Sequence, residues 1–288
     1  MKNLFVLLPL VFAGALFEPD GQLRAAVAFL LFCALSSSIY LINDLLDREK
    51  DRRHPIKRHR PLAAGTLSPA VALVTATLLA GGAFGAAWWL GPTPFVIACL
   101  YVGQNLLYSF WLKHVVIVDI LVISLGFVLR VMMGGAALPV PVSDWLLLCT
   151  IFLSLFLAVS KRRHEVVLLE ERAADQRQVL DRYGKPFLDQ MTSVVTAATL
   201  LAYSLYATTH GRDDETLRVG ERLSSHFDGS DLGLVVTVPF VIFGIFRYLY
   251  LVYQVGTDRS PTEAMLTDMP FVANLGLWGA SIFATFYL

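Results

Sequence analysis

The sequence predicts an all-α integral membrane protein, a bundle of nine transmembrane helices forming a single domain over residues 1–288. Three observations predict it. The 288 residues are 56% hydrophobic and only 16% charged, against about a quarter charged in ordinary soluble domains. Apolar runs long enough to cross a hydrocarbon core of ~30 Å, which takes ~20 residues in a helix, recur along the whole chain. Basic residues crowd into alternate loops, as orientation in a membrane demands. There is no strand alternation, low-complexity tract or short repeat to suggest a second fold class.

The expected spans are residues 3–17, 22–43, 69–90, 93–111, 116–136, 144–160, 191–210, 232–254 and 271–288. The first is short, and Lys2, its apolar run and Ala13-Gly14-Ala15 share the pattern of a cleaved signal segment. Further spans follow at once, so it is read as a retained helix. The second, Gln22 to Ile42, runs directly into a charged loop. The fourth and fifth are separated by a short connection. Two enlarged loops, 44–68 and 161–190, lie on one side of the membrane, and the middle of the second, Glu170 to Gln178, is expected to form an amphipathic surface helix.

Formal charge is zero, which points to no nucleic-acid partner, but its distribution is informative. With the N-terminus cytoplasmic, seventeen of the 23 Lys and Arg fall in inner loops. Arg24, Arg212, Arg218 and Arg222 fall outside, and Arg130 and Arg247 fall within spans. That asymmetry orients the N-terminus and both large loops toward the cytoplasm, in a cell inner (plasma) membrane. Cys33, Cys99 and Cys149 all lie in apolar spans without CxxC spacing, which argues against zinc or a disulfide framework.

The most informative stretch is Asn43-Asp44-Leu45-Leu46-Asp47-Arg48-Glu49-Lys50-Asp51. At 3.6 residues per turn Asp44, Asp47 and Asp51 lie within about 60° on one helix face, with Asn43 one turn before Asp47. Like charges on one stripe repel. Carboxylate oxygens suit a hard cation, and Mg²⁺ is commonly held by one or two carboxylates plus the phosphates of a substrate. Arg48 and Lys50 are interleaved, so a solvated helix end is the bland alternative. The loop then turns basic through Arg52, Arg53, Lys57, Arg58 and Arg60, interrupted by Pro55 and Pro61, and Gly65 permits a tight turn. Cations are thereby set beside carboxylates, as binding of a metal diphosphate requires.

The second loop opens with Lys161-Arg162-Arg163-His164-Glu165 and closes with Asp181 and Asp189, a loose second pair of acids. The connection between the fourth and fifth spans reads Tyr108-Ser109-Phe110-Trp111-Leu112-Lys113-His114, followed by Asp119. Arg130 lies eleven residues beyond Asp119, within 20° of its azimuth and ~16 Å deeper, with Gly126 between. A charge at that depth costs at least ~2.5–3.5 kcal/mol and should face a cavity or a partner.

Together these residues resemble the UbiA superfamily of intramembrane prenyltransferases. Asn43-Asp44-x-x-Asp47-x-x-x-Asp51 is similar to its first Asp-rich signature, and Arg60-Pro61-Leu62-x-x-Gly65 to the segment that follows. Within the superfamily the likeness is strongest to the decaprenyl-phosphate phosphoribosyltransferase branch. It rests on Lys2-Asn3, His54-Pro55-x-Lys57-Arg58-x-Arg60-Pro61, Tyr108-Ser109-x-x-Leu112-Lys113-His114, Gly126 to Arg130, and Lys161-Arg162-Arg163-x-Glu165. The compact DxxxD second motif of aromatic prenyltransferases is absent.

The resemblance implies a Mg²⁺-dependent transfer of 5-phosphoribosyl from phosphoribosyl diphosphate to a polyprenyl phosphate, on the path to a cell-wall arabinose donor. It implies metal binding by Asn43, Asp44, Asp47 and Asp51, and catalytic roles for Asp44, Asp47 and Lys113. Substrate contacts are expected from Lys2, Asn43, Arg58, Arg60, Tyr108, Asp119, Arg130, Lys161, Arg162 and Asp189. A lipid phosphate is already an ionised nucleophile, so no dedicated general base is needed. The alternatives are an aromatic or quinone-pathway prenyltransferase and a transporter, though the latter more often shows broken helices meeting at the midplane.

Overall fold

A computed structural model describes residues 2–53, 57–171, 183–209, 233–254 and 261–287, and every regular element among them is helical. They fall into two units, Met1–Val142 and Ser143–Leu288.

In the first unit α1 is Pro19–Leu46, α2 Pro69–Leu90, α3 Pro92–Phe110 and α4 Val118–Ala137. The second unit holds α5, Asp144–Glu171, α6, Lys185–Thr209, α7, Val238–Gln254, and α8, Met269–Tyr287. Seven described helices are long and apolar enough to cross a membrane, and Pro92–Phe110 adds a helix of 19 residues.

The expected first span is corrected. Lys2–Leu7 is a 3₁₀ helix continued by Leu8–Phe12, and the chain then turns at Gly14 with φ +72°. Eleven residues, even at the 2.0 Å rise of a 3₁₀ helix, fall short of the ~30 Å hydrocarbon core. Hydropathy alone missed the turn that glycine permits.

The first unit's core is built on Phe32, Leu35, Val6 and Met133, with Ala28, Ala83, Ala87 and Ala98 between them. Ala28, Ala83 and Ala87 let α1 approach α2, and Ser38 Oγ donates to the Ala76 carbonyl at 2.8 Å across that contact. A Cβ on Gly134 of α4 would lie 2.0 Å from the Val6 carbonyl oxygen, so the N-terminal segment rests directly on that glycine. The second unit packs Phe156, Val195, Ile245 and Tyr248 together. Among its interior polar groups Tyr203 pairs with Thr237 at 2.6 Å, and Trp278 Nε1 donates to Tyr203 at 2.9 Å.

Two loop expectations change. α5 runs on to Glu171, so Lys161 to Glu165 lie on the helical extension of a span, and α6 begins at Lys185, which puts Asp189 on a helix. Lys, Arg and Glu are good helix formers, and hydropathy reads such an extension as loop. The expected surface helix at 170–178 lies largely outside the described residues, as does Asp181.

Candidate active site

At 1.5 Å per residue the 28 residues of α1 extend ~42 Å, more than the hydrocarbon core, so its C-terminal turn can stand clear of the apolar layer. Asp47 closes α1, and the chain re-enters a helix at Arg48–Arg53. The i to i−4 bonds continue through the join, from Asp47 N to Asn43 O at 2.9 Å and from Asp51 N to Asp47 O at 2.8 Å. The carboxylate register expected from the sequence is therefore preserved.

The interleaved bases turn elsewhere. Arg48 and Arg52 donate through Nε to the Leu62 and Ala63 carbonyls, both at 3.2 Å, filling orphan acceptors of the short helix Pro61–Ala64. Gly65 ends that helix at φ +80°. Arg52 also pairs through Nη1 with the exposed Glu49 at 2.9 Å, so Arg48 and Arg52 are engaged away from Asp44 and Asp51.

Arg60 Nη1 donates to Asp44 Oδ1 at 2.7 Å and to Asp51 Oδ2 at 2.9 Å. Asp51 is buried, at 3% exposure. Asp47 turns toward Lys113, 4.0 Å away, and keeps 44% of its side chain exposed. Among the described residues no three His, Cys, Asp or Glu side chains converge to hold a metal. Asp44 and Asp51 nevertheless already share one positive group. That suits an ion held by one or two carboxylates and completing its shell from phosphate oxygens. The donor chemistry fits Mg²⁺, with Arg60 standing where the positive charge belongs.

From this mouth a polar seam descends between α1 and α3. Ser109 Oγ donates to Asn43 Oδ1 at 2.7 Å, and two turns deeper Ser36 Oγ and the Tyr101 hydroxyl are 3.0 Å apart. At its lower end lies Arg130, 5% exposed. Its Nε donates to Asn3 Oδ1 at 2.9 Å, Nη1 to the Gly126 carbonyl at 2.7 Å, and Nη2 to Tyr101 at 2.7 Å. The rings of Phe32, Tyr101 and Phe127 surround the guanidinium at 4.9–5.6 Å. Each of these partners is neutral. Lys2 keeps an open surface, yet desolvation by the surrounding chain and then the Arg130 charge lower its pKa.

The other expected residues are placed as follows. Asp119 is buried in the first turn of α4, at 1% exposure. Tyr108 is half-buried on α3, and Arg58 is exposed and donates to His59 Nε2 at 3.3 Å. In the second unit Lys161 and Arg162 pair with Glu165 at 3.9 and 2.6 Å. Asp189 is held by Arg163 and accepts from the Tyr253 hydroxyl at 2.9 Å. It also borders a groove of about 770 Å³ whose other walls include Thr196, Leu200, Phe246 and Leu249.

Ser36, Ser109 and Tyr101 were missed as site residues. Ser36, Asn43 and Asp47 lie at i, i+7 and i+11, one face of a 3.6-residue helix, so the stripe was visible. Tyr101 offered no comparable signal.

Oxygen donors for a hard cation at the end of a membrane helix, with a buried cation deeper along a polar seam, define a membrane-embedded transferase of phosphorylated substrates. Comparison with known proteins gives the family. The model of the UbiA prenyltransferase family matches residues 6–213, and the chain belongs to that family. It is 36% identical to a decaprenyl-phosphate phosphoribosyltransferase of Mycolicibacterium smegmatis over 98% of this chain and 89% of that one. It is 35% identical to the Corynebacterium glutamicum protein of the same name, over 93% and 78%. Its fold is similar to that of a UbiA homolog from Archaeoglobus fulgidus bound to GPP and Mg²⁺, with TM-score 0.66, 18% identity and full coverage of both chains.

Proposed function

We propose that this protein transfers the 5-phosphoribosyl group of phosphoribosyl diphosphate to a decaprenyl-class polyprenyl phosphate. The bond from ribose C1 to the diphosphate breaks, one from C1 to a lipid phosphate oxygen forms, and pyrophosphate leaves. The observation that carries this reading is near-full-length similarity to two proteins of that name. The site supports it, since cations stand at both ends of the seam: Arg60 and Lys113 against the carboxylates of the mouth, and Arg130 among uncharged partners below, as two phosphorylated substrates require.

Asp44, Asp47 and Asp51, with Asn43 beside them, are the donors that would hold Mg²⁺, which when bound supplies charge neutralisation to the departing pyrophosphate. Arg60 and Lys113 lie against those carboxylates and are placed to meet diphosphate oxygens. Charge developing on the leaving group is thus stabilised by fixed cations at the edge of a low-dielectric layer. The lipid phosphate attacks as an anion, so no side chain need remove a proton. The whole chain acts as one catalytic domain, with its N-terminus and the Asp44 end of α1 cytoplasmic. Lys161, Arg162 and Asp189 remain candidates for substrate contact.

The test is purified full chain with labelled phosphoribosyl diphosphate, a polyprenyl phosphate and Mg²⁺, beside the same protein with prenyl diphosphate and an aromatic acceptor. Pyrophosphate release should match lipid phosphate consumed in the first tube. Turnover in the second alone would transfer the protein to the aromatic branch.

A further inference from the structure

Arg130 poses an electrostatic problem that the fold leaves open. An unpaired charge is among the most expensive groups to bury. Yet among the described residues no carboxylate pairs with this guanidinium, and its partners Asn3, Gly126, Tyr101 and Ser36 are all uncharged. They fix its orientation without neutralising it. Asn3 is itself fixed, since Ser36 Oγ donates to the same Oδ1 at 3.3 Å and its own Nδ2 donates to Cys33 Sγ at 3.3 Å. Lys2 precedes Asn3 on the segment seated on Gly134, and among the described residues it too has no ion-pair partner.

We infer that Lys2 and Arg130 form a seat for a phosphate monoester, held in position by Asn3, Tyr101 and Ser36 and distinct from the carboxylate mouth. The inference rests on the phosphoribosyl-transfer reading and deepens it, because both proposed substrates carry such a group: the sugar's 5-phosphate and the lipid phosphate. A phosphate entering the seat completes the charge balance that the protein lacks. Asn3, Tyr101 and Ser36 are then positioning residues, acting through Arg130. The geometry also says what would block the seat. Asn3 Oδ1 already lies 2.9 Å from Arg130 Nε, so Asn3→Asp would place the missing carboxylate against the guanidinium.

The experiment uses full-length protein in nanodiscs, with EDTA present so that the metal clamp plays no part. It is titrated by calorimetry with ribose 5-phosphate and, separately, with farnesyl monophosphate. Wild type should bind at least one of them, and the one it binds identifies the source of the phosphate. Arg130→Met should weaken that probe tenfold or more, and Lys2→Gln and Tyr101→Phe several-fold. Asn3→Asp should raise the melting temperature yet lose at least tenfold in affinity, a combination that a purely structural network does not produce. It also keeps the test decisive should Arg130→Met fail to fold. No binding of either probe by wild type, or unaltered binding by Asn3→Asp, would overturn the seat. Metal-dependent transfer would be untouched by that result, since it is scored in a separate assay with Mg²⁺.

Discussion

At the scale of single residues, charge is what the site distributes. Asp47 keeps the most exposed of the measured carboxylates at the mouth and has only a 4.0 Å contact with Lys113. Its replacement by Ala should lower metal-dependent pyrophosphate release by 10²–10³, the usual loss for one strong electrostatic stabiliser, with the melting temperature little changed. Full activity in Asp47→Ala, or of wild type in excess EDTA, would remove the carboxylates from the mechanism. Asp268 gives a second prediction. Hydrogen bonds from Arg247, at 3.0 and 2.8 Å, and from the Phe271 N–H at 2.9 Å hold its carboxyl below the ordinary carboxylate range. A depressed folded-state pKa contributes stability that is present above the unfolded value, near 3.9, and is lost as pH falls through the folded one. Melting measured from pH 7 down to pH 3 should show a larger acid loss in wild type than in Asp268→Asn. Equal slopes would make the pair inconsequential.

At the scale of elements, glycine sets the distances. Gly134 admits the Val6 carbonyl where a methyl group would stand, so Gly134→Ala must push the N-terminal segment off α4. Overpacking of this kind costs about 1–3 kcal/mol. The variant should melt lower and, because Asn3 moves with the segment, respond less to further replacement of Asn3. Additive effects of Gly134→Ala and Asn3→Ala on melting would separate the two.

The same elements explain what could be read in the sequence. The register of Asp44, Asp47 and Asp51 was legible because a helix imposes it locally. Apolar runs located the membrane-crossing parts of α1 to α8, for bilayer thickness imposes that too. The end of α5 at Glu171 and the start of α6 at Lys185 were not legible, since polar helix formers extend a helix without any hydropathic signal. The partners of Arg130 come from positions 3, 36, 101 and 126. Three of those four contacts span long separations, and no period in one sequence reports them. The sharing of Arg60 between two carboxylates depends likewise on how the 57–65 segment folds back.

At the scale of the molecule, each unit carries its own core and its own paired charges, and the membrane orders the whole. Glu49 and Asp20 are exposed near opposite ends of the chain's first long helix. In vesicles of known orientation, a cysteine at position 49 should react with an impermeant maleimide only from the cytoplasmic face, and one at position 20 only from the other. The native cysteines lie within spans and should be replaced beforehand. Reversed labelling would invert the orientation inferred from the loop charges.

Arg60, bridging Asp44 and Asp51, has a bearing on assembly as well as on chemistry. A nascent chain that had to wait for a divalent ion before tolerating its own carboxylates would depend on ion supply to mature. Here a tethered guanidinium stands as an internal counter-ion between Asp44 and Asp51, which predicts folding without metal. Chelation should therefore leave the melting temperature of wild type unchanged while abolishing turnover. In Arg60→Gln the two carboxylates face each other without compensation, and its melting temperature should become sensitive to EDTA and recover with added Mg²⁺. If wild type proves as metal-dependent in stability as the variant, the arginine is no stand-in and the carboxylates rely on the ion from the start.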